Sequence, residues 1–360
     1  MHALGVLLFD RLAFKNVIST GTILAADGEK ISKSKRNYTD PLALIDRFGA
    51  DALRFYLMAS PVMLGEDINF RDEDVKEAHN KIVGRLANVL SFYALHTDET
   101  PRDFRSKNVL DTWILARLAA LVGETTSGYE SYEIDRATRP LALFIEDLSV
   151  WYLRRSRERL KSGGEDKRLA LETLRYVLHS LSRVMAPVTP FLAEHMFQAV
   201  REEEDEESVH LASWPEMQAP ENSEGILTNM LVARTIVSQA LKEREKHGLN
   251  VRQPLAKLTI PEAAALSPDL LSVIAEEVNV KKVEASGTTL SLDMTLTPEL
   301  KEEGIVRETM RTVQDARKAA GLRPGEQGAV SITVSPEDRS VVETHLDLVE
   351  KQTNTKVTLQ

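Results

Sequence analysis

The sequence predicts a mainly α-helical chain of several domains, ending in a small α+β module. Three observations carry that expectation. The 360 residues exceed the usual size of one domain. From about 72 to 247, apolar residues recur at helical spacing in one long segment after another, joined by short polar connections, as in an antiparallel bundle. Beyond Pro254 the texture changes to short alternating stretches around one long helix.

Each element follows from local chemistry. VISTGTIL (17–24) is β-branched, apolar and bounded by AADG, and reads as a strand entering a turn. After the polar stretch GEKISKSKRNYTDP (28–41), Asp40 and Pro41 form a helix start, and PLALIDRF stops at Gly49. DALRFYLMAS is a second helix, ended before Pro61. Val75, Ala78, Ile82, Leu86, Val89 and Leu90 place one helix over 72–95. Further helices are expected over 110–129, 137–161 and 168–186, the last closed by Pro187, with a restart at Thr189-Pro190 and another helix over 224–247. Trp113 and Trp151 read as core. KLTI, VKKVEA, TLSLDMTL, GAVSITVS and TKVTLQ read as strands, and ELKEEGIVRETMRTVQDARKAAG as the module's long helix. No internal repeat and no low-complexity tract is visible.

Composition narrows the function classes. With 42% hydrophobic and 28% charged residues the chain is ordinary globular material. No apolar run suits a membrane helix, and MHALGVLLFDRLAF, broken by Asp10 and Arg11, is not a signal peptide, so no membrane partner is expected and the cytoplasm is the expected compartment. The absence of cysteine excludes disulfides and thiolate zinc sites, and the eight histidines lack metal-ligand spacing, so no metal and no zinc is expected. The formal charge of −10 argues against bulk affinity for nucleic acid, DNA included. Its distribution is uneven, however. Acid collects in REEEDEE (201–207), and base in the 28–41 stretch and in WYLRRSRERLK (151–161).

Those two basic stretches are the candidate sites. Lys30, Lys33, Lys35 and Arg36 alternate with Ser32 and Ser34 behind the flexible Gly28. Ammonium groups and hydroxyls in that order suit a polyphosphate, and no Walker sequence is present. A solvated turn is the other reading. On a helix, Arg154, Arg155, Arg157 and Arg159 could fork RNA phosphates or stack on unpaired bases; alternatively they pair with bundle carboxylates such as Glu146, Asp147 and Glu158. Arg307, Arg311, Arg317 and Lys318 in the last long helix read as a solvated face.

Lys30-Ile31-Ser32-Lys33-Ser34 resembles the KMSKS signature of class I aminoacyl-tRNA synthetases, with isoleucine at the methionine position. RNYTDP and FGADALRFYL come after it in the order of the isoleucyl–valyl–leucyl subgroup. LDTWILARL, FIEDLSVWYLRRSRERL and VMAPVTPFLAEHMFQ are similar to the anticodon-binding bundle of the isoleucyl enzymes, and SVHLASWPE and VRQPLAKL to the segments beyond that bundle. The resemblance implies three domains: 1–71 as the end of the catalytic nucleotide-binding fold, 72–256 as the anticodon-binding domain, and 257–360 as a small α+β domain. It implies ATP-dependent charging of tRNA(Ile) with isoleucine through an adenylate, Mg2+ accompanying ATP. Lys33 would be the catalytic contact to the ATP phosphates and Lys30 its support, with Ile31, Ser32 and Ser34 completing the ATP loop; Arg154, Arg155, Arg157 and Arg159 would meet tRNA. The family's HIGH-type motif and editing domain are not found in this chain, which is therefore expected to be inactive alone. A valyl or leucyl member, or a freestanding RNA-binding module without catalysis, is the alternative.

Overall fold

The computed structural model describes residues 1–97, 106–264, 266–323 and 325–360, which form two compact units, Met1–Leu227 and Thr228–Gln360. The first unit opens with α1 (His2–Phe9) and a two-stranded parallel sheet of β1 (Ile23–Leu24) and β2 (Ile68–Asn69). The strand expected over 17–24 is thus reduced to its last two residues. Before them the backbone bonds elsewhere: Gly21 N–H donates to Val62 O at 2.8 Å and Thr22 N–H to Asp67 Oδ1 at 2.7 Å. Gly21 lies so close to the Glu66 backbone that a Cβ would sit 1.9 Å from its carbonyl oxygen, so only glycine fits. Around α1, Leu7, Leu8, Phe9, Leu12 and Val17 remain 61 to 80% exposed.

Helices α2 (Pro41–Phe48) and α3 (Ala50–Ala59) follow, α2 capped by the Asp40 carboxylate accepting from Leu42 N–H. The bundle then contains α4 (Asp72–Ala78), α5 (Arg85–His96), α6 (Val109–Glu130), α7 (Ile134–Glu146), α8 (Arg154–Lys161), α9 (Glu165–Met185) and α10 (Pro190–Val200). Two expected helices are each interrupted by a wider π-turn, at His79–Gly84 and Asp147–Leu153. Trp113, Ile114, Phe144, Tyr152 and Phe197 fill the core. Trp151, expected there too, is only half-buried: the extra residue of the second π-turn advances the helical phase, and Tyr152 takes the core position. The α3 helix is fastened to the bundle by Arg54, which donates to the carbonyls of Pro187 and Val188, and by Asp51, which accepts from Leu192 N–H at 2.6 Å.

The boundary between the units falls inside α11 (Ser223–Lys246). Beyond it come β3 (Leu255–Pro261), α12 (Pro268–Val278), β4 (Val280–Gly287), β5 (Ser291–Leu292), α13 (Pro298–Ala319), β6 (Gly328–Ile332), α14 (Arg339–Thr344), α15 (Leu346–Thr353) and β7 (Thr355–Leu359). The strands form two sheets, β4-β3-β5 and β6-β7. The expectation of no internal repeat fails here, because the two sheets are built on one plan. In each, a helix ends with a buried arginine and then a glycine at positive φ (Gly248, Gly321), a strand follows, and after a further helix an asparagine at positive φ (Asn279, Asn354) starts a parallel partner strand.

The arginine joins the same parts in both copies, Arg317 adding a bond to Thr355 Oγ1 at 2.6 Å. Arg244 donates to the carbonyls of residues six and nine positions ahead, Asn250 and Gln253, and to Asn279 O. Arg317 donates to the carbonyls six and nine positions ahead, Arg323 and Glu326, and to Asn354 O. The two asparagine side chains reach back to the intervening loop, Asn279 to Arg252 O and Asn354 to Gly325 O. Arg317 is therefore 5% exposed rather than part of a solvated face, and burial pushes the Arg244 guanidinium down to about 10.

Neither arginine has a carboxylate partner in these bonds; each is spent on backbone carbonyls. Arg317→Met is expected to destabilise its copy by roughly 1.5–3 kcal/mol, the range for hydrogen bonds to a charged group. Amide exchange at Val330 and Ile332 should accelerate while that at Leu258 and Ile260 stays slow, and Arg244→Met should do the reverse. Equal acceleration of both sheets by either change would refute the independence of the two clips.

Candidate functional site: a lysine loop and a basic helix

The loop is shaped by its own backbone and one asparagine. Ala25 N–H donates to Glu29 O and Gly28, at φ +82°, N–H donates to Ala25 O, which folds the approach into a tight turn. An isolated bridge joins Lys30 to Leu24. Then Arg36 N–H closes a turn onto Ser32 O at 3.0 Å, with Arg36 itself at φ +48°. The Asn37 side chain staples the turn at its base: Oδ1 accepts from Ser32 N–H at 3.0 Å and Nδ2 donates to Lys30 O at 3.2 Å. Downstream, Thr39 Oγ1 and Arg47 Nη1 both donate to Asp72 Oδ2, tying the exit to the first bundle helix.

The side chains sort themselves accordingly. Ile31 and Ser32 are half-buried, whereas Lys30, Lys33, Ser34, Lys35 and Arg36 are exposed. The Ser32 and Ser34 hydroxyls are 2.8 Å apart. Lys35 is paired with Glu29. Lys30, Lys33 and Arg36 have no acid within ion-pair distance among the described residues, so three cations face outward with no counter-charge. That arrangement accepts a polyanion without first giving up an existing pair. Sequence reasoning missed Asn37, although asparagine two positions past a serine–lysine run is a recognisable turn stabiliser.

The basic helix behaves differently from the loop. Arg154 and Arg157 are exposed, Arg154 donating to Val150 O and Arg157 standing 6.0 Å from the Phe92 ring centre; Arg155 is half-buried. Arg159 turns into the bundle. It forks the fully buried Asp111 at 3.1 and 2.9 Å and Asp166 at 2.9 and 2.7 Å. Tyr152 OH donates to the same Asp111 at 2.9 Å. Burial opposes the Arg159 charge, but the bonds to Asp166 and Asp111 overcome it and hold the guanidinium above its ordinary pKa; burial first, then Asp111, pushes the Tyr152 phenol well up. Arg159, placed among the tRNA-facing arginines from its spacing, is instead committed to the interior: 14% exposed, it spends four of its five N–H donors on two aspartates.

Two protein-family models match the chain. Residues 1–71 match tRNA synthetases class I (I, L, M and V), and residues 111–260 match the anticodon-binding domain of tRNA ligase. Among curated proteins, isoleucine–tRNA ligase of Chlamydia trachomatis is 40% identical over 292 residues, covering 78% of this chain and 28% of that protein. Isoleucine–tRNA ligase of Leifsonia xyli is 33% identical over 413 residues, covering 92% of this chain and 37% of that protein. The chain thus spans well under half the length of these relatives. A solved ternary LeuRS–tRNA–LeuAMS complex from Agrobacterium radiobacter K84 is similar at TM-score 0.46 and 20% identity, over 63% of this chain and 26% of that one. No helix among the described residues is long and apolar enough to cross a membrane.

Proposed function

We propose that this chain, which belongs to the class I tRNA synthetases, serves as the C-terminal part of an isoleucine–tRNA ligase. In that role it would contribute to ATP-dependent charging of tRNA(Ile) through isoleucyl-adenylate. The observation that carries the reading is the loop at 30–36: three unpaired outward cations on a turn stapled by Asn37, in a stretch matched by the class I family. Lys33 would meet the ATP phosphates as pyrophosphate departs, with Lys30 supporting it and Ser32 and Ser34 holding the turn. Mg2+ would arrive with ATP as its phosphate complex. The bundle would carry tRNA, with Arg154, Arg155 and Arg157 on its basic face. Residues 1–71, 72–256 and 257–360 would be the corresponding functional segments.

Two measurements test the division of labour. The chain alone is expected to show no isoleucine-dependent ATP–pyrophosphate exchange, since the loop supplies phosphate contacts and no amino-acid pocket; exchange above a Lys33→Ala control would sink the assignment. It should nevertheless bind tRNA, with an affinity that falls steeply as salt rises, because released counterions dominate phosphate contacts. Arg157→Ala should lower the log–log salt slope by roughly one unit. If the slope and affinity survive loss of Arg154, Arg155 and Arg157 together, the basic face plays no part in binding.

A further inference from the structure

Along one face of α9, Arg175, His179 and Arg183 succeed one another at four-residue spacing, opposite the acidic segment after α10. The first two are matched. Arg175 pairs with Glu202 at 2.5 Å and with Glu172, and His179 Nε2 lies 3.0 Å from Asp205. The third is not. Arg183 has no acid within ion-pair distance among the described residues, and its Nε is buried without a hydrogen-bond partner. Burial lowers its pKa, and Asp205 only partly offsets this from a distance. Asp205 is itself occupied by His179 and by Glu202 N–H at 2.6 Å. Arg183 therefore carries a desolvation penalty that Asp205 and Tyr176 offset only in part and from a distance.

It does so at the wall of a cavity of 230 Å³, which it shares with Pro187, His210, Ser213 and Trp214. Trp214 is half-buried and fixed in orientation: Nε1–H donates to Thr126 Oγ1 at 2.8 Å, and its ring meets Tyr129 edge-on at 5.7 Å. His210 is exposed at the rim. A partnerless guanidinium beside a held indole is the pairing that recognises a phosphate with a base attached. At 230 Å³ the cavity lies below the roughly 300–1,000 Å³ of sites that enclose a drug-sized ligand, and suits an occupant no larger than one nucleotide.

We propose that this cavity is a single-nucleotide site, taking a phosphate on Arg183 and the adjoining base or ribose against Trp214. The nucleotide could belong to a bound RNA or be free, and the first source rests on the tRNA reading above. The test is equilibrium binding of 5′-AMP and of unfractionated tRNA to the whole chain, comparing the native protein with Arg183→Gln, Arg183→Lys and Trp214→Phe. Thermal melts establish that each variant is folded. For the RNA source, Arg183→Gln should weaken tRNA binding on the order of tenfold and lower its salt slope by roughly one, and Arg183→Lys should recover part of the loss. For the free source, 5′-AMP binding should depend on Arg183 while tRNA binding does not. Nucleotide binding at Arg183 without any tRNA binding would keep the site and remove the tRNA reading. If folded Arg183→Gln binds both ligands as the native chain does, or if the native chain binds neither, the site does not exist.

Discussion

In the isoleucine–tRNA ligase proposed above, Lys33→Ala is expected to slow adenylate formation by about 10²–10³-fold while ATP affinity changes far less. Negative charge accumulates on pyrophosphate as it leaves, and a donor held towards developing charge is worth roughly 3–4 kcal/mol in the transition state. The loop meets the conditions for such a donor. Its turn is closed by Arg36 N–H on Ser32 O, stapled by Asn37, and leaves Lys33 exposed with no local acid. Lys35, two positions on, is held by Glu29 on the surface, where an ion pair contributes at most about 1 kcal/mol. Lys35→Ala should therefore cost little in rate. Pre-steady-state adenylate formation separates the two residues. Equal losses at both, or a Lys33 loss confined to ATP affinity, would reduce the loop to a generic basic surface.

The largest stability effect is expected at Arg159. Replacing it with alanine leaves the Asp111 carboxylate fully buried with only the Tyr152 and Ser106 hydroxyls to hold it. Breaking a buried pair on one side typically costs about 3–5 kcal/mol. Denaturant unfolding monitored by helical signal should show that loss, whereas Asp166→Ala, which removes the more exposed acid, should cost much less. Arg159→Met combined with Asp111→Leu should recover a large part of the stability, because no unpaired charge then remains. An Arg159→Ala bundle as stable as the native one would mean that the network contributes nothing. Any tRNA affinity lost by Arg159→Ala would then have to be read against unfolding, not against a lost phosphate contact.

The sequence made the helices of the bundle legible because their apolar residues repeat over many turns, and the caps at Asp40 and Pro190 because those residues act locally. The lysine loop was legible as chemistry and as a resemblance. The features that stayed hidden depended on geometry that no local rule supplies. The direction of Arg159 is set by the π-turn at 147–153, which shifts the helical phase just ahead of it and also moves Trp151 off the core. Nothing in WYLRRSRERLK announces that extra residue. The two copies in the C-terminal unit share an arginine, a Gly-Leu pair and an asparagine, too few letters to register as a repeat. They become recognisable only when Arg244 and Arg317 are seen reaching carbonyls at the same distances along the chain. Arg183 escaped notice for a related reason: its isolation is defined by the pairs its neighbours make.

The apolar surface around α1 has a consequence for how the chain behaves in solution. At low ionic strength a net charge of −10 keeps separate molecules apart, even with Leu7, Leu8 and Phe9 exposed. Added salt shortens the reach of that repulsion to about 8–10 Å and leaves the attraction between apolar ends intact. On the proposed reading, rising salt is expected to act in opposite directions, weakening tRNA binding at the basic helix while favouring association of chains through their exposed first helices. Light scattering should rise across the same salt range in which the RNA comes off.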